Sequence, residues 1–124
     1  MFIIDQMSRV PVYTQIVEQV KRFIMTGIFK AGDQMPSVRS MSARLSINPN
    51  TIQKAYTELD MLGLIRSVPG KGCYITEDAV LKLKESKVKE LDRLEEVIRD
   101  LILAGISKES ILECVERSFG NDRD

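Results

Sequence analysis

The residues best suited to specific chemistry are four polar side chains within one short stretch: Asn50, Gln53, Lys54 and Thr57. Their three- and four-residue spacing places them on one side of an α-helix. The amide of asparagine or glutamine can form paired hydrogen bonds with the edge of an adenine, while lysine favours a guanine edge or a phosphate. The alternative is a solvated helix surface opposite a buried apolar stripe.

Two further basic residues add anion-binding chemistry outside this stretch. Arg39 carries a guanidinium whose planar donors fit a phosphate or a guanine edge, although a surface salt bridge with Asp33 or Glu58 is the alternative. In Gly70-Lys71-Gly72, the flanking glycines permit a tight turn that presents the amine at its tip and allows close approach to a ligand. Similar hairpins also occur where no ligand binds, and the spacing of a nucleotide phosphate loop is missing.

The segment that must position the four polar residues has the clearest helix signals in the chain. Asn48 is a favourable N-cap, Pro49 suits the first helical position, and Gly63 is expected to end the helix. The backbone amides at its start can also hold a phosphate. On its other side, apolar residues at helical spacing are expected to face a core: Ile52, Ala55, Tyr56, Leu59 and Leu62.

Two helices are predicted before this segment, and a hairpin is predicted after it. The first helix runs from Pro11 to Thr26, and the second begins at a Ser37 N-cap. Strand-like runs at 64–67 and 73–76 flank the glycine-rich turn, and Gln34-Met35 is predicted to form a very short strand. A supporting helix, a presented helix and a two-stranded hairpin together predict a winged helix-turn-helix, a mostly α fold with a small β-wing. The aromatics Tyr13, Phe23, Phe29, Tyr56 and Tyr74 are expected in the core.

The last third of the chain differs in composition. One long charged helix is predicted over residues 78–104, Gly105 breaks it, and Ser107 can cap a final helix. The tail from Gly120 to Asp124 is expected to fray. We therefore expect a winged helix-turn-helix domain at 1–76 and a helical dimerisation segment at 77–124, unless these helices pack only onto their own domain. The predicted dimerisation residues form an apolar stripe: Val88, Leu91, Leu94, Ile98, Leu101, Ile111, Leu112 and Val115.

Charge and cysteine usage limit the possible functions. The chain of 124 residues has 18 basic and 18 acidic residues, so its formal net charge is zero. The distribution is uneven, because residues 1–75 sum to +4 (nine Lys/Arg, five Asp/Glu) and residues 76–124 sum to −4 (nine and thirteen). This asymmetry favours a basic module that meets an anion, with chance scatter as the alternative. Cys73 and Cys114 fit no metal or redox spacing, and the N-terminus lacks signal-peptide features, so we expect a cytoplasmic protein.

The stretch from Tyr13 to Ile75 resembles the DNA-binding domain of GntR-family transcription regulators. The similarity rests on several groups of residues: Gly32, Met35-Pro36-Ser37-Val38-Arg39, Met41-Ser42, Leu45, Thr51-Ile52, Ala55-Tyr56, Leu59, Gly63-Leu64-Ile65 and Gly70-Lys71-Gly72. Asn48-Pro49-Asn50-Thr51, together with the short helical tail, is most similar to the small YtrA-type branch. Many relatives carry an arginine where this chain has Pro49, so one potential base-reading cation is missing.

The resemblance implies a regulator, expected to act as a repressor, that binds a palindromic operator in double-stranded DNA as a homodimer. The implied DNA-binding residues are Arg39, Asn48, Pro49, Asn50, Thr51, Gln53, Lys54, Thr57, Gly70, Lys71 and Gly72. A winged-helix module that binds another protein without reading DNA is the alternative function. An enzyme is the least favoured class, because histidine is absent and no residue set suggests catalysis. No cofactor, metal site or membrane span is predicted, and the sequence does not identify a small-molecule effector.

Overall fold

The computed structural model describes residues 2–120, which fold into six helices and one antiparallel pair of strands. This confirms the predicted class, mostly α with a small β-wing. The chain divides into two compact units between Glu85 and Ser86. Of the tail that was expected to fray, Gly120 is the last residue of the final helix, and residues 121–124 lie outside the described range. The elements are α1 Val12–Met25, α2 Val38–Leu45, α3 Pro49–Met61, β1 Ile65–Val68, β2 Gly72–Ile75, α4 Ala79–Val88, α5 Glu90–Leu103 and α6 Lys108–Gly120.

Side-chain caps begin α2, α3 and α6 where the sequence predicted them. The Ser37 Oγ accepts from the backbone N–H of Ser40 at 3.0 Å, and the Asn48 Oδ1 accepts from the N–H of Asn50 at 2.8 Å. The Ser107 Oγ accepts from the Ser110 N–H at 3.1 Å. Each cap satisfies one of the amides that a helix start leaves without an intrahelical partner.

The core of the first unit lies between α1, α2, α3 and the hairpin. Ile52 and Leu59 on α3 have no exposed surface, and each such side chain contributes about 1.5–3 kcal/mol relative to remaining exposed. The prediction for Leu62 is wrong: 45% of its surface is exposed, because α3 ends at Met61 and Leu62 is already its C-cap. The buried core residues of these elements and of the segments that connect them are Ile16, Val17, Val20, Ile24, Met35, Met41, Ile47, Ile52, Ala55, Tyr56, Leu59, Leu64, Ile65 and Ile75.

The wing is a hairpin supported along one edge. Residues 65–68 pair with 75–72 in antiparallel register. The segment before α2 lies along the other side of β2, where Gln34 forms an isolated bridge with Tyr74 and the Met35 N–H donates to the Cys73 carbonyl at 2.8 Å. The very short strand predicted at Gln34-Met35 is therefore present as a bridge, and it ties the base of the wing to the start of α2.

The region after the wing differs from the predicted single helix over 78–104. α4 ends at Val88 and α5 begins at Glu90, with Lys89 between them. The Asp92 N–H donates to the Lys89 carbonyl at 3.3 Å, a three-residue return where a regular helix would use four. Residues 77–104 contain neither glycine nor proline, so their composition carries no signal for this interruption.

The first unit continues beyond Thr76, the end expected for the DNA-binding domain. Ala79 and Leu83, one turn apart on α4, are buried and belong to the core cluster of that unit. The Thr76 hydroxyl also donates to the Gly63 carbonyl at 2.7 Å, which fixes the exit from β2. The start of α4 is thus part of the folded wing unit.

The second unit exposes apolar side chains along its helices. Six of the eight predicted dimerisation residues are exposed, while Ile98 and Ile111 are half-buried where α5 and α6 approach each other. Within the described residues, no helix is both long and apolar enough to cross a lipid bilayer. The exposed members are Val88, Leu91, Leu94, Leu101, Leu112 and Val115.

Candidate nucleic-acid interface

The polar side of α3 faces solvent. Asn50, Gln53, Lys54 and Thr57 are all exposed, whereas Ile52, Ala55 and Leu59 have no exposed surface. A helix with one fully locked side presents the other at a fixed rotation about its axis. The separation of faces predicted from the spacing is confirmed. Thr51 is half-buried, closer to the core than its four polar neighbours.

Two of the exposed polar residues are linked to each other. The Gln53 Nε2 donates to the Thr57 Oγ1 at 3.3 Å, across one turn of α3. This bond restricts the amide while leaving its carbonyl oxygen and second N–H free for an outside partner. A free acceptor and donor side by side is the pattern that matches the N6 and N7 edge of adenine.

Lys54 differs from its neighbours because it makes a contact with α1. Its Nζ lies 4.1 Å from the centre of the Tyr13 ring, a cation–π geometry. Tyr13 was expected in the core, but it is only half-buried, and its ring supports the lysine from the first turn of α1. No sequence pattern indicated this pair, since the two residues are distant along the chain and share no helical spacing.

The start of α3 is exposed and capped from within. Asn48 and Pro49 both lie at the surface, and Pro49 occupies the first turn without losing a needed donor. Because the Asn48 Oδ1 already accepts from the Asn50 N–H, this oxygen serves the helix. The groups suited to a phosphate are the side-chain amide N–H groups of Asn48 and the remaining backbone N–H groups at the helix start.

Tyr56 fixes the approach of α2 to α3. Its hydroxyl donates to the Pro36 carbonyl at 2.7 Å, just before the Ser37 cap of α2. Burial, reinforced by the nearby Cys73 thiol, raises the pKa of Tyr56 far above its usual range, so its hydroxyl stays protonated and continues to donate. This bond connects the core side of α3 to the segment just before α2, the helix that carries Arg39.

Arg39 lies exposed in the first turn of α2. Among the described residues it forms no salt bridge within 4.0 Å, so neither alternative partner holds it. Asp33 instead uses its Oδ2 to accept from the Lys30 backbone N–H at 2.8 Å. The guanidinium is thus available to an external anion.

The tip of the wing is held by its backbone and leaves the lysine side chain exposed. The Lys71 carbonyl accepts from the Gln34 Nε2 at 2.9 Å and from the Tyr74 hydroxyl at 3.0 Å. Gly70 and Gly72 have φ of 76° and 105°, in the left-handed region that favours glycine. A Cβ at Gly72 would also lie 2.9 Å from the Gln34 Nε2. Gln34 was not predicted as part of this surface, and nothing in its sequence neighbourhood marks it.

Comparison with known proteins assigns the same region to a family. The sequence profile described as "Bacterial regulatory proteins, gntR family" matches residues 12–75, about half of the chain. The HTH-type transcriptional repressor YtrA of Bacillus subtilis is 40% identical over 114 residues, which cover 91% of this chain and 88% of YtrA.

Two solved structures extend the comparison. A GntR family transcriptional regulator from Listeria monocytogenes is 38% identical, with a TM-score of 0.72, covering 91% of this chain and 97% of its own. The AraR DNA-binding domain in complex with an operator is 25% identical, with a TM-score of 0.54, covering 60% of this chain and 92% of its own. The profile match and the identity to YtrA over most of both chains establish the family. This chain belongs to the GntR family of DNA-binding transcription regulators and is a member of its YtrA-like branch.

Proposed function

We propose that this protein is a cytoplasmic repressor that binds a palindromic operator as a homodimer and blocks access of RNA polymerase to an overlapping promoter. The repressor role is supported by the similarity to YtrA, which is itself described as a transcriptional repressor. Family membership supports DNA as the ligand.

The observation that carries the DNA-binding proposal is the separation of faces on α3. A B-form major groove is wide enough to admit an α-helix, and the base edges there present distinct donor and acceptor patterns. Asn50, Gln53 and Thr57 offer amide and hydroxyl groups on the exposed side, while the opposite side is locked in the core. We assign base reading to these three residues and place α3 in the major groove.

We propose that cationic side chains outside α3 position the protein on the DNA backbone. Arg39, on the first turn of α2, and Lys71, on the wing tip, are exposed and suited to phosphate contacts. Such contacts fix the register of the protein on the duplex but carry no sequence information. The glycines on either side of Lys71 allow the wing backbone to approach the minor groove closely.

Dimerisation is supported by the apolar surface of the second unit. Exposed apolar residues recur on both α5 and α6, and contiguous patches of this kind mark interaction surfaces in soluble proteins. A second copy is the occupant we propose, because a symmetric dimer would pair two DNA-reading units with two operator half-sites. Both copies of the second unit would then contribute the same face.

Binding to labelled duplexes tests the proposal. Fluorescence anisotropy would compare a probe carrying the inverted repeat upstream of the protein's own gene with a scrambled probe of equal length. We expect Gln53→Ala to weaken specific binding by about 1–3 kcal/mol and to change scrambled-probe binding much less, since a base contact is lost. Lys84→Ala, an exposed lysine on α4, is the control.

The outcomes separate the competing functions. If Gln53→Ala and Asn50→Ala both bound the specific probe as tightly as the wild type, α3 would not be the element that reads bases. If the wild-type protein ignored every duplex at low ionic strength, the protein-interaction alternative would replace the DNA-binding proposal. Transcription in vitro from a promoter that overlaps the repeat would fall on addition of protein if the repressor role is correct.

A further inference from the structure

We infer that Tyr13 is a positioning residue for DNA binding, which holds the Lys54 ammonium at the flank of α3 so that it contacts a phosphate instead of a base. The inference rests on the proposed function, because it assumes that α3 enters the major groove. It assigns a role to an α1 residue, and it selects the phosphate over the guanine edge, the two contacts that the sequence left open for Lys54.

The first step is the geometry of the pair. Tyr13 lies in the first turn of α1, and Lys54 lies in the middle of α3. The Lys54 Nζ is 4.1 Å from the Tyr13 ring centre, so the side chain reaches sideways towards α1 and not straight out from its own helix. The two residues line a shallow depression together with Pro11, Val12, Asn50 and Thr51.

The second step is the charge of Lys54. Glu58 is one turn further along α3 and could pair with it, yet among the described residues no salt bridge within 4.0 Å joins them. A lysine placed before a glutamate at this spacing is the less favourable orientation for a helical ion pair. A carboxylate would neutralise the ammonium, whereas the face of an aromatic ring attracts it without cancelling its charge. Among the described residues no carboxylate pairs with Lys54, so its ammonium is available to an external anion.

The third step concerns where that charge would meet DNA. A helix in the major groove has base edges beneath its centre and the sugar-phosphate strands along its flanks. Asn50, Gln53 and Thr57 remain on the exposed side of α3, while the ring draws the Lys54 ammonium to the side that faces α1. A charge held at the flank is placed for a phosphate. Its side chain also loses less conformational freedom on binding, because the ring already restricts it.

Four variants test the inference: Lys54→Ala, Tyr13→Leu, Tyr13→Phe and the double variant Tyr13→Leu with Lys54→Ala. Binding to the specific and scrambled probes would be measured across a salt series. We expect Lys54→Ala to weaken binding to both probes by the same factor, about eightfold at roughly 0.1 M salt, and to reduce the salt slope by about one unit. Loss confined to the specific probe would overturn the phosphate assignment.

The Tyr13 variants separate positioning from a structural role. Tyr13→Leu should lose roughly two- to fivefold on both probes, and Tyr13→Phe should bind like the wild type because its ring still supports a cation. In the Lys54→Ala background, Tyr13→Leu should have no further effect. A loss there as large as in the wild-type background, or a Tyr13→Phe variant as weak as Tyr13→Leu, would overturn the inference. Thermal unfolding of every variant would confirm that each remains folded.

The same series distinguishes this inference from the proposed function. If Gln53→Ala loses specific binding while both Tyr13→Leu and Lys54→Ala bind normally, α3 reads DNA but the positioning role of Tyr13 is wrong. If the wild-type protein itself fails to discriminate between probes, the proposed function fails first, and the inference falls with it.

Discussion

Tyr56 places a hydroxyl group within the core, where it contacts the backbone in front of α2. Only 3% of its surface is exposed, and its hydroxyl donates to the Pro36 carbonyl at 2.7 Å. Burial is the main reason that its pKa is raised, since ionisation would leave a charge in an apolar environment. The folded protein therefore keeps the Tyr56 hydroxyl protonated, and ionisation of this group favours unfolding.

This linkage predicts a loss of stability at high pH. The pKa of a tyrosine in the unfolded chain is about 10, so above that pH the unfolded state loses a proton that the folded state retains. The free energy of unfolding should then fall as pH rises, by up to about 1.4 kcal/mol per pH unit for one tyrosine. Urea unfolding followed by circular dichroism between about pH 9 and about pH 11.5 would measure the slope.

A phenylalanine substitution provides the comparison for this slope. Tyr56→Phe should be less stable at neutral pH by about 1 kcal/mol, because the Pro36 carbonyl loses its donor, but its stability should fall less steeply with pH. Equal slopes for Tyr56→Phe and the wild type would show that another group is responsible.

Residues on regular elements were the most predictable from sequence. Ile52, Ala55 and Leu59 were expected in the core because their spacing places them on one side of a helix. Packing against the other elements buries that side. Tyr13 and Gln34 were not recognised as parts of the candidate surface, because their roles depend on contacts with Lys54 and Lys71, distant residues in the sequence. Local patterns contain no information about which chain segments meet in space.

At the scale of elements, the Asn48 cap joins the stability of α3 to its exposed start. Its side chain accepts from the Asn50 N–H at 2.8 Å, and Asn48 is also one of the implied DNA-binding residues. These two roles use different atoms of the side-chain amide. The cap needs the oxygen, while the NH2 group remains available for a DNA contact. Substitutions that keep one atom and lose the other can therefore separate them.

We predict that two substitutions of Asn48 affect different properties, one the stability and the other the DNA binding. Asn48→Ala should lower the free energy of unfolding by about 1 kcal/mol, because the cap is lost. Asn48→Asp should keep wild-type stability, since aspartate is an equally good cap, but should weaken binding to every duplex by adding negative charge next to the phosphates. Chemical unfolding and anisotropy would measure the two effects. An Asn48→Asp variant as unstable as Asn48→Ala would contradict the capping role.

The boundaries of elements were predicted well where capping residues mark them, and poorly elsewhere. Ser37, Asn48 and Ser107 each cap the helix that the sequence assigned to them. The interruption at Lys89 was missed because it has no glycine, proline or capping side chain. The burial of Ala79 and Leu83 was missed because two apolar residues one turn apart are too weak a pattern to extend a domain.

At the scale of the whole molecule, charge and apolar surface are distributed unequally. Residues 1–75 are net basic and contain every candidate DNA-binding residue, while the rest is net acidic. The second unit carries exposed leucines and valines, and among its described residues none is fully buried. A folded unit without a buried core of its own is expected to gain stability from a partner.

We therefore predict that a charge on the apolar stripe of α5 prevents self-association. Leu94→Glu should shift the protein from twice the chain mass to a single chain mass in size-exclusion chromatography with light scattering, because an unpaired buried carboxylate costs at least about 2 kcal/mol. Leu103→Glu is the matched control, since Leu103 is 86% exposed and lies outside the predicted dimerisation residues. A wild-type protein that elutes as a single chain would contradict the dimer.

The two sides of α3 also bear on how regulators of this kind diversify. Because the side chains that hold the helix in place differ from those that face outwards, mutations at Asn50, Gln53 or Thr57 can alter target preference with little penalty in folding. Gln53 and Thr57 share a hydrogen bond, so they should change together during evolution. New specificities are then accessible through a few paired surface exchanges on an unchanged scaffold.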